Sequence, residues 1–273
     1  MSYCTVYNRI RKTLVRRAAA GHIRTPGTMI AVKVRARSKP RAASPAMSKD
    51  RVVEAALALI DAQGVDGFSM RGLAEALGVY PTAIYWYVAN RNALLAEVVG
   101  HALRDVAPEW HGDDWQAWLK DLFRRYRAAV QRHPNIAPLI GAQLVSNAGV
   151  GAAFIDRILA VLASAGFTGD HLIHAYNAVI AVQVGFVTLE FAPAPQEDRE
   201  SWVDAIKAHL HNADAAAHPV LARNLDRLEN RAFIARWQNG VEVPLDDSFE
   251  LFIDIAVAGL AQRVKDDRPR RAD

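Results

Sequence analysis

The 273-residue chain is 51% hydrophobic, enough for one large domain or two ordinary ones around a substantial core. Its formal charge is +4, but residues 1–47 hold eleven Lys or Arg and no Asp or Glu, leaving 22 basic against 29 acidic residues, net −7, in the remainder. The single cysteine, Cys4, excludes a disulfide framework within the chain and a cysteine-based metal site, and it fits a reducing, cytoplasmic compartment.

Residues 1–47 mix Arg, Ala, Ser, Pro and Gly without an apolar period, a pattern that predicts a basic, disordered extension. Three readings of it stand side by side: a flexible arm that grips phosphates, a start codon assigned ahead of Met29 or Met47, and an organelle transit peptide. It contains no apolar stretch of the kind that forms a secretory signal.

From Ser48 onward apolar residues fall three and four apart and no alternating strand stands out, so the chain reads as all-α. The first helix is expected over 49–63, capped by Ser48, with Val53, Leu57 and Ile60 on its inner face and Gly64 ending it. Ser69 opens a second helix as N-cap. Phe68 and Leu73 sit at the positions of a hydrophobic staple, and Gly78 is the stop. Gly72 within that helix costs about 1 kcal/mol of propensity, which tertiary packing must offset. A third, very short helix starts at Pro81, a residue tolerated at a first helical position. Ile84 and Val88 form its inward edge and Asn90 closes it. A fourth helix runs from Arg91 to about Val106. Beyond it, helices are expected at 115–132, 135–145, 150–165, 170–191, 201–212, 219–238 and 248–264.

A helix, a Gly turn and a second short helix make the pattern of a helix-turn-helix, whose second helix enters the major groove. With Ile84 and Val88 committed to the core, Thr82, Ala83, Tyr85, Trp86 and Tyr87 occupy the remaining surface of "GVYPTAIYWYVANRNALL". A Tyr hydroxyl can donate to a phosphate oxygen, and a methyl or an aromatic ring can rest on a thymine methyl. Arg71 and Arg91, at the starts of flanking helices, can reach phosphates or base edges.

Residues 48–105, and "YWYVANRNALL" in particular, resemble the DNA-binding head of the tetracycline-repressor (TetR) family. By that resemblance Tyr85, Trp86, Tyr87 and Arg91 fall on recognition-helix and phosphate-contact positions. Thr82 and Ala83 fall on base-reading positions, and Arg71 on a contact position of the second helix. Tyr80 and Pro81 depart from the small polar residue usual at that entry. The implied organisation is an extension over 1–47, a head over 48–107, an effector-binding and dimerisation domain over 108–265 and a tail over 266–273.

The C-terminal part is similar to the family in helix order and in "SFELFIDIAVAGLAQRV", which looks like its dimer-forming final helix. Phe249, Phe252, Ile253, Val257 and Leu260 form one apolar stripe, while Leu251, Ile255 and Ala258 make the other side nonpolar too. A helix apolar on several faces is buried on several faces. Paired with the helix near 170–191, it would build a four-helix interface with a second subunit; the alternative is that both helices are ordinary monomer core. His171–Leu189 is free of charge over the length of a membrane span, but His174, Asn177 and Gln183 interrupt it, favouring a buried helix and no membrane.

The resemblance implies that the C-terminal domain encloses a small molecule. Candidate lining groups are Trp118, Tyr126, His174, Asn177, Gln183 and Phe186. Where the family's tetracycline-and-magnesium binders place a metal-coordinating His, this chain has Ala107 or its neighbours, so no metal site is expected there. No Gly-rich phosphate loop, HExxH pair or nucleophile elbow is present, so neither catalytic residues nor a cofactor is expected. His111, Asp113 and Asp114 beside a helix start read as caps. The expected protein is a homodimeric one-component transcription regulator, a repressor of a palindromic operator released by a small effector. Its alternatives are an activator, a regulator without ligand, and a helical binding protein or enzyme.

Overall fold

The computed structural model describes residues 47–112, 114–140, 151–195 and 197–266, all of whose regular elements are helical. The expectations for the basic extension, Cys4, Asp113 and the tail after Asp266 lie outside the described residues.

Helix α1 spans Lys49–Gly67 with a break at Gly64, whose φ of 74° and ψ of 173° end the regular helix where the sequence places its stop. Ser48 caps it by accepting from the Arg51 amide at 3.2 Å. Helix α2, Met70–Leu77, starts at Ser69, which accepts from Gly72 N at 3.1 Å, and ends at Gly78 in the left-handed region at φ 71°. A side chain at Gly78 would strain this turn. Phe68 and Leu73 are both buried, as a staple requires.

Helix α3 is a single turn, Pro81–Ile84, and α4 spans Arg91–Ala102, capped by Asn90. The expected continuation of α4 to Val106 stops at Leu103, where the backbone leaves the helical region.

The body comprises α5, Trp115–Arg132; α6, Ala152–Ala165; α7, Gly169–Glu190; α8, Arg199–His211; α9, Pro219–Leu228; and α10, Asp246–Asp266. Two expectations are corrected. In place of a helix over 135–145, Pro134–Leu139 forms a 3-10 segment with Pro134 at its start and Pro138 inside it; residues 141–150 lie outside the description. Neither proline can donate an amide, which disfavours continuous α-helix there. The helix expected over 219–238 ends at Leu228, because Asn230 turns to φ 55° and its side chain accepts from Trp237 N and Gln238 N.

Two apolar clusters hold the molecule together. One joins head and body: Leu57, Ile60, Leu73, Ile84 and Leu94 pack continuously with Tyr126, Val130, Ile136, Leu139, Val187 and Phe191. The other fills the body between α5, α6, α7 and α10, with Leu122, Phe123, Leu162, Val179, Phe186, Phe249 and Ile253.

Along the surface of that second cluster, α5 and α10 run antiparallel and are rung together by three ion pairs. These are Lys120–Asp254 at 2.6 Å, Arg124–Glu250 with an Nε bond of 2.9 Å, and Arg127–Asp246 at 2.7 Å. The bond from Arg124 holds the Glu250 carboxyl below its usual range. The first two pairs lie at the surface and contribute little individually, whereas the third is made by the nearly buried Arg127; all three match one register of the two helices.

Helix α7 is long and apolar enough to cross a membrane by length and composition alone. Its Ala175, Val179, Gln183, Phe186, Val187 and Glu190 are buried within the bundle, but only 28% of its apolar stretch is, so the expectation of a buried helix holds for one face of α7 and not for the other.

Candidate nucleic-acid interface

The helix-turn-helix is set by Gly78, which reverses the chain between α2 and α3, and by Ile84 and Val88, which are 1% and 5% exposed and anchor the third helix to the head core. Thr82 is exposed and Ala83 half-buried on the outer side of that turn. Arg71 is exposed at the start of α2.

The aromatic triplet divides. The chain leaves the helix at Ile84, so Tyr85, Trp86 and Tyr87 lie on a turn rather than on helical positions. Tyr85 is 50% exposed and Trp86 87%. Tyr87 turns inward, packs on the head core, and donates its hydroxyl to the Met47 carbonyl at 3.3 Å. The expectation that all three rings face outward therefore fails at Tyr87.

Arg91, expected to touch phosphate, donates from Nη2 to the Val65 carbonyl at 3.1 Å and stacks its guanidinium over Phe68. It braces α4 against the end of α1 while remaining exposed at the surface. Tyr80, an unusual residue at the entry to this helix, is 83% exposed at the N-cap of α3. A large aromatic at a capping position, where it makes no capping bond, was the available signal. Tyr80, Tyr85 and Trp86 thus crowd exposed rings onto the recognition segment. Such rings are costly to leave in water without a partner surface.

The six candidates for a small-molecule site do not converge. Trp118 is a framework residue: it is buried, and its Nε1 donates to the carbonyls of Pro108 and Glu109, both at 3.2 Å. Tyr126 is buried in the head–body cluster, and burial pushes its phenol well above the usual range. His174 and Asn177 are exposed on α7 and do not enter the interior, a correction that follows from the helix turning that face outward.

Gln183 and Phe186 do face inward. Gln183 is 3% exposed, and its side-chain carbonyl oxygen is buried without a hydrogen-bond partner. Such an orphan costs about 1–3 kcal/mol. Phe186 stands between Phe233, Phe249 and Phe252, with ring centroids 5.1 to 5.5 Å away. Asp114 caps α5, accepting from Gln116 N and Ala117 N, in keeping with the capping reading. Among the described residues no three His, Cys, Asp or Glu side chains gather as metal ligands.

Residues 52–98 match the family described as bacterial regulatory proteins, tetR family, and residues 107–264 match the tetracyclin repressor-like, C-terminal domain. The chain belongs to the TetR family. An HTH-type transcriptional regulator of Saccharopolyspora erythraea is 31% identical to it over 66% of this chain and 75% of that protein. The tetracycline repressor class A of Escherichia coli is 28% identical over 73% of this chain and 89% of its own length. The HTH-type transcriptional repressor DrrR1 of Streptomyces coeruleorubidus is 28% identical, the match spanning 62% of this chain and 63% of DrrR1.

Solved TetR-family structures share the fold. ActR of Streptomyces coelicolor superposes with a TM-score of 0.59 at 22% identity, covering 80% of this chain and 98% of ActR. ActR has also been seen in complex with actinorhodin, with a TM-score of 0.60 at 23% identity over 80% of this chain and 96% of that one. As a TetR-family member the protein is a transcription regulator with an N-terminal DNA-binding helix-turn-helix, and not an enzyme.

Proposed function

We propose that this TetR-family regulator is a cytoplasmic homodimeric repressor whose two heads bind a palindromic operator and release it when a small molecule occupies the body. The observation that carries the DNA contact is the exposed recognition segment: Tyr85 and Trp86 beside Thr82 and Ala83, with Arg71 at the start of the helix before it. Arg91 serves mainly as a brace. Tyr87 belongs to the head core.

The homodimer reading is supported by α7 and α10, which keep apolar side chains on the surface. Ile173, Leu189, Leu251 and Ile255 are 50–62% exposed, while Phe249, Ile253 and Val257 of the same α10 are buried. A helix apolar on both sides, one of them bare, fits burial against a second copy. His174 and Asn177 lie exposed on α7 and fit that rim better than a pocket.

The effector reading is supported by the orphaned carbonyl of Gln183 beside the aromatic group around Phe186. Among relatives, ActR is found with actinorhodin and a TetR variant of Acinetobacter baumannii AYE with minocycline. Release is a population shift: moving occupancy from 1:99 to 99:1 takes about a 10⁴-fold preference of the effector for the DNA-incompetent state. The repressor sign follows the names of DrrR1 and the tetracycline repressors.

A gel shift with the DNA flanking the protein's own gene, alongside selection from a random duplex pool, tests the reading. Binding to a palindrome by a dimer is expected. Absence of any bound sequence above background at moderate salt overturns it.

A further inference from the structure

Head and body share one apolar cluster; the attraction behind it is non-directional, so hydrogen bonds that cross the same seam add a directional constraint to its packing. After α5 ends at Arg132 the chain turns at His133 into the 3-10 segment, whose Ile136, Ala137 and Leu139 are buried under the head. At its start, the Asn135 side-chain amide donates to the carbonyl oxygens of Ile60 and Asp61, both at 3.0 Å. These are among the last carbonyls of the regular part of α1, ahead of the break at Gly64, and a helix leaves its final carbonyls without intrahelical donors. His133 Nδ1 lies 2.9 Å from Asp61 Oδ2 alongside. One amide group thus bridges two successive carbonyls of the first head helix from a segment rooted in the body.

The juxtaposition is directional in a way the apolar cluster is not. Two N–H groups of one planar amide aimed at two neighbouring carbonyls leave α1 little freedom to pivot or slide on the 3-10 segment. We propose that Asn135 is a positioning residue that sets the direction of the head on the body, and thereby the half-site spacing that the dimer accepts. This rests on the dimeric operator binding proposed above. Each base pair added between half-sites displaces the second one by about 3.4 Å along the duplex and roughly 35° around it. A head held at a fixed angle cannot follow both movements; a head that swivels can.

The experiment uses the full chain, an operator selected from a random duplex pool, and derivatives with one or two base pairs added or removed at its centre. Wild type is expected to lose at least about tenfold in affinity for each change of one base pair. Asn135→Ala is expected to bind the original operator within a few-fold of wild type and to lose less than about threefold on respacing. Its affinity for an isolated half-site should stay unchanged, because the substitution leaves the shared apolar cluster in place. Asn135→Asp, which removes the donors and sets a carboxylate against two carbonyls, should behave in the same direction.

An Asn135→Ala spacing profile identical to wild type overturns the inference and leaves the operator reading intact. A parallel loss on half-sites makes Asn135 a plain stability residue and also overturns it. Failure of wild type to select any DNA brings down the operator reading and this inference with it.

Discussion

Arg127 on α5 grips Glu190 at the end of α7 with two bonds, Nε to Oε2 at 2.7 Å and Nη2 to Oε1 at 2.6 Å, and the carboxylate is wholly buried. Around this pair the chain is tightly fitted. Glu190 Oε1 also accepts the Leu245 amide, and its backbone carbonyl accepts Gly240 N at 2.7 Å. A Cβ on Gly240 would lie 2.5 Å from Glu190 Cγ. The guanidinium further bonds Asp246 and covers the Phe249 ring. The node therefore pins the loop before α10 to the junction of α5 and α7.

Removing one partner should leave a buried charge without its counterion. Arg127→Met is expected to destabilise the protein by about 3–5 kcal/mol, measured by chemical denaturation. Arg127→Met combined with Glu190→Leu should recover part of that loss but not all, since the Leu245 amide and Asp246 lose their partner too. Additive effects of the two single changes would show that the pair is not coupled.

The recognition segment makes separable predictions. Tyr85→Ala and Trp86→Ala should weaken binding to all sequences alike, by about tenfold each. Substitutions at Thr82 or Ala83 should instead change which bases are preferred, at about 1–3 kcal/mol per mismatched pair. Tyr87→Phe should leave DNA affinity within about twofold and cost about 1 kcal/mol of stability by losing its bond to Met47. A DNA-binding loss at Tyr87→Phe comparable to that at Trp86→Ala would place the Tyr87 hydroxyl on the duplex.

The bare faces of α7 and α10 predict the oligomer. Leu251→Asp with Ile255→Asp changes two residues that are each 62% exposed, so the fold of the single chain should be nearly unaffected. Analytical ultracentrifugation should find a monomer, and affinity for the palindrome should fall towards that for a half-site. A double variant that sediments as wild type does would show that this face is not the dimer contact.

Acid should loosen the head–body junction. His101 borders a cavity of about 340 Å³ lined by Leu57, Asp105, Val106, Arg132 and His133. Its Nδ1 lies 3.1 Å from Arg104 Nη2, and since arginine only donates, the ring must accept there in its neutral form. Burial, then the charge of Arg104, lowers the His101 pKa below 6.5 against the weaker pull of Glu54 and Asp50. The unfolded state then binds the proton first, so stability falls as pH drops from about 6.5 through the lower folded value and not above that window. Between about pH 7 and 5 the Tm of wild type should drop more steeply than that of His101→Gln; parallel slopes would refute the assignment.

Local signals were legible in the sequence. Ser48 and Ser69 cap the helices they were assigned, because a cap depends on residues within four positions; Asn90, expected to close α3, instead caps the start of α4. Ile84 and Val88 were placed inward by spacing alone, and both are buried. Tyr87 was misread because helical angles were projected onto three residues that lie beyond the end of α3. The Arg127–Glu190 pair and the Asn135 bridge were invisible: 63 and about 75 residues separate their partners, and no local pattern carries such a contact. His174 and Gln183 looked alike as polar breaks in an apolar run, yet one is exposed and the other buried. Which face of α7 turns inward is decided by the neighbouring helices.

The continuous cluster that runs from Leu73 and Ile84 through Ile136 and Leu139 to Phe191 bears on how portable the head is. A chimera cut at the end of α4, to graft this reading head onto another sensor, would slice through a shared interior. The transplant would succeed only where the recipient supplied matching side chains for Ile136, Ala137 and Leu139 and an amide at the place of Asn135. Head and body here are tailored to each other as one heritable unit, so new combinations of the two must be repacked at the seam before they can be tuned.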